Sequence, residues 1–325
     1  MKQERFVALH DAGWSEVESW MRGSGRKAWS SALAEQGLDF PSQYRRICQH
    51  LAMARARGYS HEVTDRLQRI VDHGHRLLYR PPAPRWHRVG EFIVAGFPRL
   101  VRREWKAMAI AAALLYLPTI ACLLLIHFRP DVAGMIFSGQ ALDRFEQMYN
   151  PTRDKIGRTS GTDVAMFGFY ILNNVGIAFR TFAAGLFFGI GAIYVLVTNG
   201  IMFGGIAGHL NAIGYGGPFW RFVAAHSSFE LTAIVIAGGA GLRLGYTLLA
   251  PGRMRRGDAL REAGGVGAQL VLGAFLMLVI AAFIEAFWSS VAAFPDVVKF
   301  GSAALLWFLV IVWLTFGGRG RRSGD

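Results

Sequence analysis

His226 and Glu230 stand one helical turn apart in a long apolar stretch, and Glu285 lies in another. Set in hydrocarbon, an imidazole and two carboxylates can bind a cation, carry a proton or act as acid and base; alternatively they hydrogen-bond and fix helix packing. Asn173-Asn174 interrupt a further apolar segment and Asn199 sits deep in a fourth, adding amides that a bilayer excludes unless the protein satisfies them. His226, Glu230, Glu285, Asn173, Asn174 and Asn199 form the candidate functional polar cluster. A zinc hydrolase is the sharp enzyme alternative, because His and Glu at i, i+4 can share one ion, but a third ligand would have to come from His209 or Glu285. Ser227 and Ser228 do not face His226, since adjacent helical positions point apart. No phosphate-binding loop pattern occurs among the glycines. No catalytic residue, metal site or cofactor is assigned on these patterns.

The elements that position these groups are marked by small residues at four-residue spacing. Gly185 and Gly189 form one set, Gly200, Gly204 and Gly208 the next, and Ala233, Ala237, Gly241 and Gly245 the third. Such stripes let helix backbones approach closely in a membrane. His226, Glu230, Ala233, Ala237 and Gly241 share one helical face, so the polar pair and the packing stripe meet the same neighbours.

Composition sets the class. The 325 residues are 53% hydrophobic with mean hydropathy +0.30 and 39 glycines, while the charges gather in blocks, which describes a membrane protein with soluble parts. The net charge of +13 sits in the first 106 residues and beside apolar segments. There it reports membrane orientation and lipid headgroups, and no aromatic-plus-basic motif supports nucleic-acid binding. Cys48 and Cys122 fall in different environments and do not suggest a disulfide. The acidic, coreless first 20 residues are not a secretory signal.

Along the chain, residues 1–85 read as a cytoplasmic helical domain. Phe6, Val7, Leu9, Trp14, Val17 and Trp20 line a first helix, a second runs from about Pro41 to Arg57 with Gly58 beyond its end, and Ser60 opens a third. Pro81, Pro82 and Pro84 mark a linker. Residues 86–106 continue it with one interfacial amphipathic helix, in which Val89, Phe92, Ile93, Phe97, Leu100 and Val101 alternate with Arg88, Arg99, Arg102, Arg103 and Lys106. Residues 107–316 form the transmembrane domain, and 317–325 a basic cytoplasmic tail. Spans are expected at Ala107–His127, Val164 to about Leu172 (short or broken at the asparagines), Phe182–Gly208, His226–Leu249, Gly267–Trp288 and Gly301–Phe316. The basic 251–264 loop and tail should be cytoplasmic, so six crossings place both termini inside. The fold class is all-α: a polytopic membrane bundle with an N-terminal helical domain.

Taken together, Asn173-Asn174, Gly185 and Gly189, Asn199-Gly200, His226 with Glu230, the Ala233–Gly245 stripe and Ile284-Glu285-Ala286-Phe287 resemble the stage II sporulation protein M family of bacterial membrane proteins. In the polar half, Phe6-Val7 to Trp14, Ala54 to Gly58 and His75 to Arg80 resemble members with a long cytoplasmic helical region. Ala225 and Ser227 depart from the Pro and Gly common around the histidine. The resemblance implies a non-enzymatic protein of the bacterial inner membrane. Its founder serves as membrane scaffold for a peptidoglycan-degrading machine during engulfment. The expected partners are membrane lipid, other membrane or envelope proteins and a second copy of the chain. A transporter or channel for an ion, lipid or small molecule is the alternative, because inward polar groups on broken helices build such sites.

Overall fold

Apolar residues at helical spacing must be buried together, and they are buried in two separate units, Met1–Arg85 and Trp86–Asp325. The computed structural model describes residues 2–22, 40–78, 86–158 and 161–319. The Pro81, Pro82 and Pro84 linker, Tyr79-Arg80 and the tail residues Arg321 and Arg322 lie outside them. Every element among the described residues is helical.

In the first unit, Phe6, Trp14 and Val17 of Gln3–Arg22 (α1) bury against Ile47, Leu51 and Ala54 of Phe40–Ala56 (α2) and against Leu67 and Ile70 of His61–Leu78 (α3). Gly58 takes the left-handed conformation, φ 62°, that ends α2 and turns the chain toward α3. Arg66 fastens α3 to α1. Its Nε and Nη2 each donate to the Glu18 carboxylate at 3.0 Å and its Nη1 to Asp11 at 2.5 Å, with the guanidinium 5.7 Å from the Trp14 ring.

Trp14 Nε1 donates to His50 Nδ1 at 3.0 Å, so that nitrogen carries no proton in the fold. Burial, and then His10 at a ring distance of 4.1 Å, hold the His50 pKa down to about 4 from its ordinary 6.5. Between these values the unfolded chain binds a proton that the folded unit refuses. Stability is complete above pH 6.5 and declines as pH falls toward 4. Hydrogen exchange on the full chain should show protection of α1 and α2 dropping across that window. His50→Gln, which keeps an acceptor that does not titrate, should flatten the drop; an equal drop in the variant would assign it to other groups.

The second unit begins with a departure from expectation. The amphipathic segment is three pieces, Trp86–Glu91 (α4), a π-helical turn Phe92–Gly96 and Phe97–Arg103 (α5), with a bend at Glu104. Buried Phe97 occupies the space that a Cβ on Gly273 would fill and packs 5.5 Å from the Trp313 ring. Arg102 donates to the Leu314 and Gly317 carbonyls, each at 2.6 Å. The segment breaks because it follows the surface of two spans instead of lying straight along an interface.

Among the described residues five helices are long and apolar enough to cross a membrane: Trp105–Phe128 (α6), Ile190–Ala212, Gly216–Leu249, Arg256–Ser289 and Asp296–Phe316. Between α6 and the next of these come a 3-10 turn Pro130–Val132, Ala133–Ile136 (α7), Gly139–Met148 (α8) and Asp163–Ala184 (α9). Here the expectation of a short or broken segment ending near Leu172 is corrected. α9 runs unbroken through both asparagines for 22 residues, about 33 Å at 1.5 Å per residue, although it is too polar to count among the five. Asparagine lowers helix propensity only slightly, and Thr162 caps the start by accepting from the Ala165 N–H at 3.2 Å. The break falls instead at Gly185–Gly189, where Phe188 and Gly189 have φ of 54° and 84°. The expected span from Phe182 is therefore split between α9 and Ile190–Ala212 (α10).

Gly216–Leu249 (α11) is the central helix, packed against α6, α9, α10, Arg256–Phe283 (α12) and Asp296–Phe316 (α13). Its small residues explain how one helix meets so many. A Cβ on Gly241 would meet the Thr181 carbonyl at 2.7 Å, and one on Gly239 would meet Met108 Sδ at 2.7 Å. Ala233 and Ala237 are fully buried beside them. Gly185 abuts the Gly241 backbone, Gly245 abuts Gly189, and Gly200, Gly204 and Gly208 abut the Leu115, Thr119 and Leu123 carbonyls of α6. Glu104 at the bend pairs with Arg243 of α11. An apolar groove of about 450 Å³, lined by Phe92, Phe97, Met277, Val310 and Trp313 among others, runs between α12, α13 and the amphipathic segment.

Candidate functional site

The polar centre forms where α9, α11 and the end of α12 converge. α12 passes into a π-helical turn, Ile284–Ser289, which accommodates about one more residue per turn than an α-helix and buries both Glu285 and Ser289. His226 Nδ1 lies 3.0 Å from Ser289 Oγ, and its Nε2 lies 3.8 Å from Glu230 Oε2. One ligating atom from each of His226, Glu230 and Glu285 falls within 4.8 Å of the others. His226 and Glu285 are 4% and 8% exposed. Buried Asn174 of α9 is the donor that acts on Glu285, although neither its Nδ2 nor Glu285 Oε2 closes a hydrogen bond of normal length. A contact this loose at that depth is costly, so the centre is not a tightly bonded packing network.

Residues 149–158 cover this end of the bundle. Ile156 N–H donates to the Ser290 carbonyl at 3.0 Å, Ala292 N–H to the Asp154 carbonyl at 3.2 Å, and Gly157 fits against the Phe222 ring, where a Cβ would collide. Phe222 in turn packs edge-on to His226 at 5.0 Å. Tyr149 is buried here too. Burial first, then the nearby Glu285 carboxylate, raise its phenol well above the ordinary value, so it stays protonated.

Two members of the candidate cluster lie elsewhere. Asn199 donates to the Val195 carbonyl of its own helix at 2.7 Å, and Asn173 is exposed, donating to Asn174 Oδ1 at 3.0 Å. Asn199 therefore satisfies its own turn, while Asn173 orients its buried neighbour. His209, the other candidate third ligand, pairs with Glu146 at 2.8 Å. Ser227 and Ser228 bond back to the Ala224 and Ala225 carbonyls, as helical serines do. Sequence reading missed Ser289, Tyr149 and Lys299. Lys299 is 1% exposed, and its Nζ donates to the Trp288 and Ser289 carbonyls at 2.6 and 3.0 Å over the Trp288 ring. A signal was present: a lysine in the first turns of an apolar helix opposes the helix dipole and needs an outside partner. It supplies the cation that the carbonyl end of the π turn favours.

The family described as Stage II sporulation protein M matches residues 106–290, more than half of the chain and the whole polar centre. A Domain of unknown function (DUF8413) matches residues 4–80, the first unit. No curated protein and no solved structure matches. An all-α polytopic membrane bundle, with the paired asparagines, the glycine stripes and the His226–Glu230–Glu285 centre all inside the matched stretch, belongs to the stage II sporulation protein M family.

Proposed function

We propose that the protein is a non-enzymatic scaffold of the bacterial inner membrane that holds other envelope proteins in an assembly, with both termini in the cytoplasm. The observation that carries this reading is the backbone-to-backbone packing of α11 against α9 and the α9–α10 turn, and of α10 against α6, through Gly185, Gly189, Gly200, Gly204, Gly208, Gly241 and Gly245. Backbones packed this closely suit a rigid platform. The self-contained N-terminal unit supplies a cytoplasmic docking surface, and lipid, partner membrane proteins and a second copy meet the exposed apolar helix faces. Nucleic acid is not a partner. Mild solubilisation followed by identification of copurifying proteins tests the reading directly: a reproducible stoichiometric envelope partner supports it, and a chain that purifies alone from native membranes defeats it.

The orientation has its own test. After replacement of Cys48 and Cys122, a single cysteine in the 131–158 loop should react with an impermeant maleimide in intact cells, whereas one in the 251–264 loop should stay protected. External labelling of the second loop would overturn the six-crossing arrangement. Transport of a cation or small molecule is the second reading, favoured by the incompletely bonded buried centre. Flux in proteoliposomes that Glu230→Gln abolishes without lowering thermal stability would establish it in place of the scaffold.

A further inference from the structure

We infer that His226, Glu230 and Glu285 form a binding site for one first-row transition-metal dication, of the Mn2+, Fe2+ or Zn2+ class. The sequence offers only a His–Glu pair at i, i+4, and the π turn at the end of α12 brings the third donor. Three ligating atoms within 4.8 Å of one another can close on an ion by side-chain adjustment of about 1 Å, given metal–ligand distances of about 2.0–2.2 Å.

Three features select this class of occupant. Two adjacent carboxylates, Glu285 buried and Glu230 partly buried, repel when both are ionised, and a dication neutralises both charges at once. Lys299 does not serve, because its ammonium is spent on the Trp288 and Ser289 carbonyls. Glu285 is more than nine-tenths buried and its Oε2 closes no hydrogen bond of normal length, with the Asn174 amide as the donor acting on it, so the centre holds an acceptor that the protein satisfies only weakly. The imidazole, finally, is set as a metal-ligating histidine is. In the tautomer protonated at Nδ1, which lies 3.0 Å from Ser289 Oγ, the Nε2 lone pair faces the carboxylates, and a fixed outer partner of this kind orients a ligand ring. A mixed nitrogen and oxygen donor set disfavours Ca2+ and Mg2+, which take oxygen ligands, and suits divalent first-row transition ions. The ion would tie α11 to the π turn beneath the 149–158 cover. Three protein ligands leave at least one coordination position for water or for a group from a partner.

The full chain, purified in mild detergent, stripped with chelator and desalted, is given ZnCl2 or MnCl2 alone, and bound metal is counted by mass spectrometry. About one equivalent per chain is expected with one of the two ions. Glu285→Gln and His226→Gln should each weaken binding at least 10-fold, and Ser289→Ala, which leaves every ligand in place, should weaken it roughly 10- to 100-fold. Wild-type thermal unfolding should shift upward with that ion, a readout that needs no variant to fold. Co2+ in the wild-type chain should give visible absorption bands that the tight-binding ion displaces. The proposal is overturned if the wild-type chain retains no metal and shows no thermal shift. It is equally overturned if binding survives unchanged in a folded Glu230→Gln/Glu285→Gln variant, which would assign the metal to surface histidines. Copurification of partners is a separate readout, so the site and the scaffold reading stand or fall independently.

Discussion

Gly204→Leu is expected to destabilise the membrane unit near the upper end of the overpacking range, about 3 kcal/mol, and to lower its thermal midpoint in detergent. Even a Cβ at this position falls on the Thr119 carbonyl of α6, with Cα and C of the same residue 2.8 Å away. Backbone cannot rotate aside as the tip of a side chain can, so α6 and α10 must separate. Separation would also loosen Gly200 and Gly208, one turn to either side, whose missing side chains face the Leu115 and Leu123 carbonyls. Gly204→Ala should show a smaller loss of the same kind. Thermal unfolding together with size-exclusion chromatography checks this. Wild-type stability and size in the leucine variant would mean that the α10 stripe faces lipid and not α6.

Lys299→Met should cost roughly 1.5–3 kcal/mol for each charge-assisted hydrogen bond removed, and should fray the chain locally around residues 288–291. Methionine keeps most of the stem volume, so lost packing is not the cause. What disappears is the ammonium that holds the Trp288 and Ser289 carbonyls and stacks 5.5 Å from the Trp288 ring. Ser289 also holds His226, so disorder there should reach the polar centre. Hydrogen exchange in detergent should show faster exchange at the π turn and the 154–156 segment hydrogen-bonded to Ser290 and Ala292. Unchanged exchange there would place the burial of Lys299 outside the support of this site.

The sequence by itself determined the class, the identity of the packing glycines and three residues of the centre. Those features are written in local terms. Long apolar runs must cross hydrocarbon, four-residue spacing of small residues marks a helix face, and an ionisable residue inside such a run has to point inward. Asn173 and Asn199 illustrate the limit, because polarity alone cannot distinguish an amide that bonds back to its own helix from one aimed at a neighbour. Only the tertiary structure decided that α9 continues through its asparagines while the chain breaks at Gly185–Gly189. It likewise decided that the amphipathic segment bends onto α12 and α13, and that a π turn carries Glu285 and Ser289 to His226. The physical reason is common to all three. Each depends on which backbone lies across the helix, and residues as distant as 226 and 289 acquire a relationship only when α11 and α12 pack.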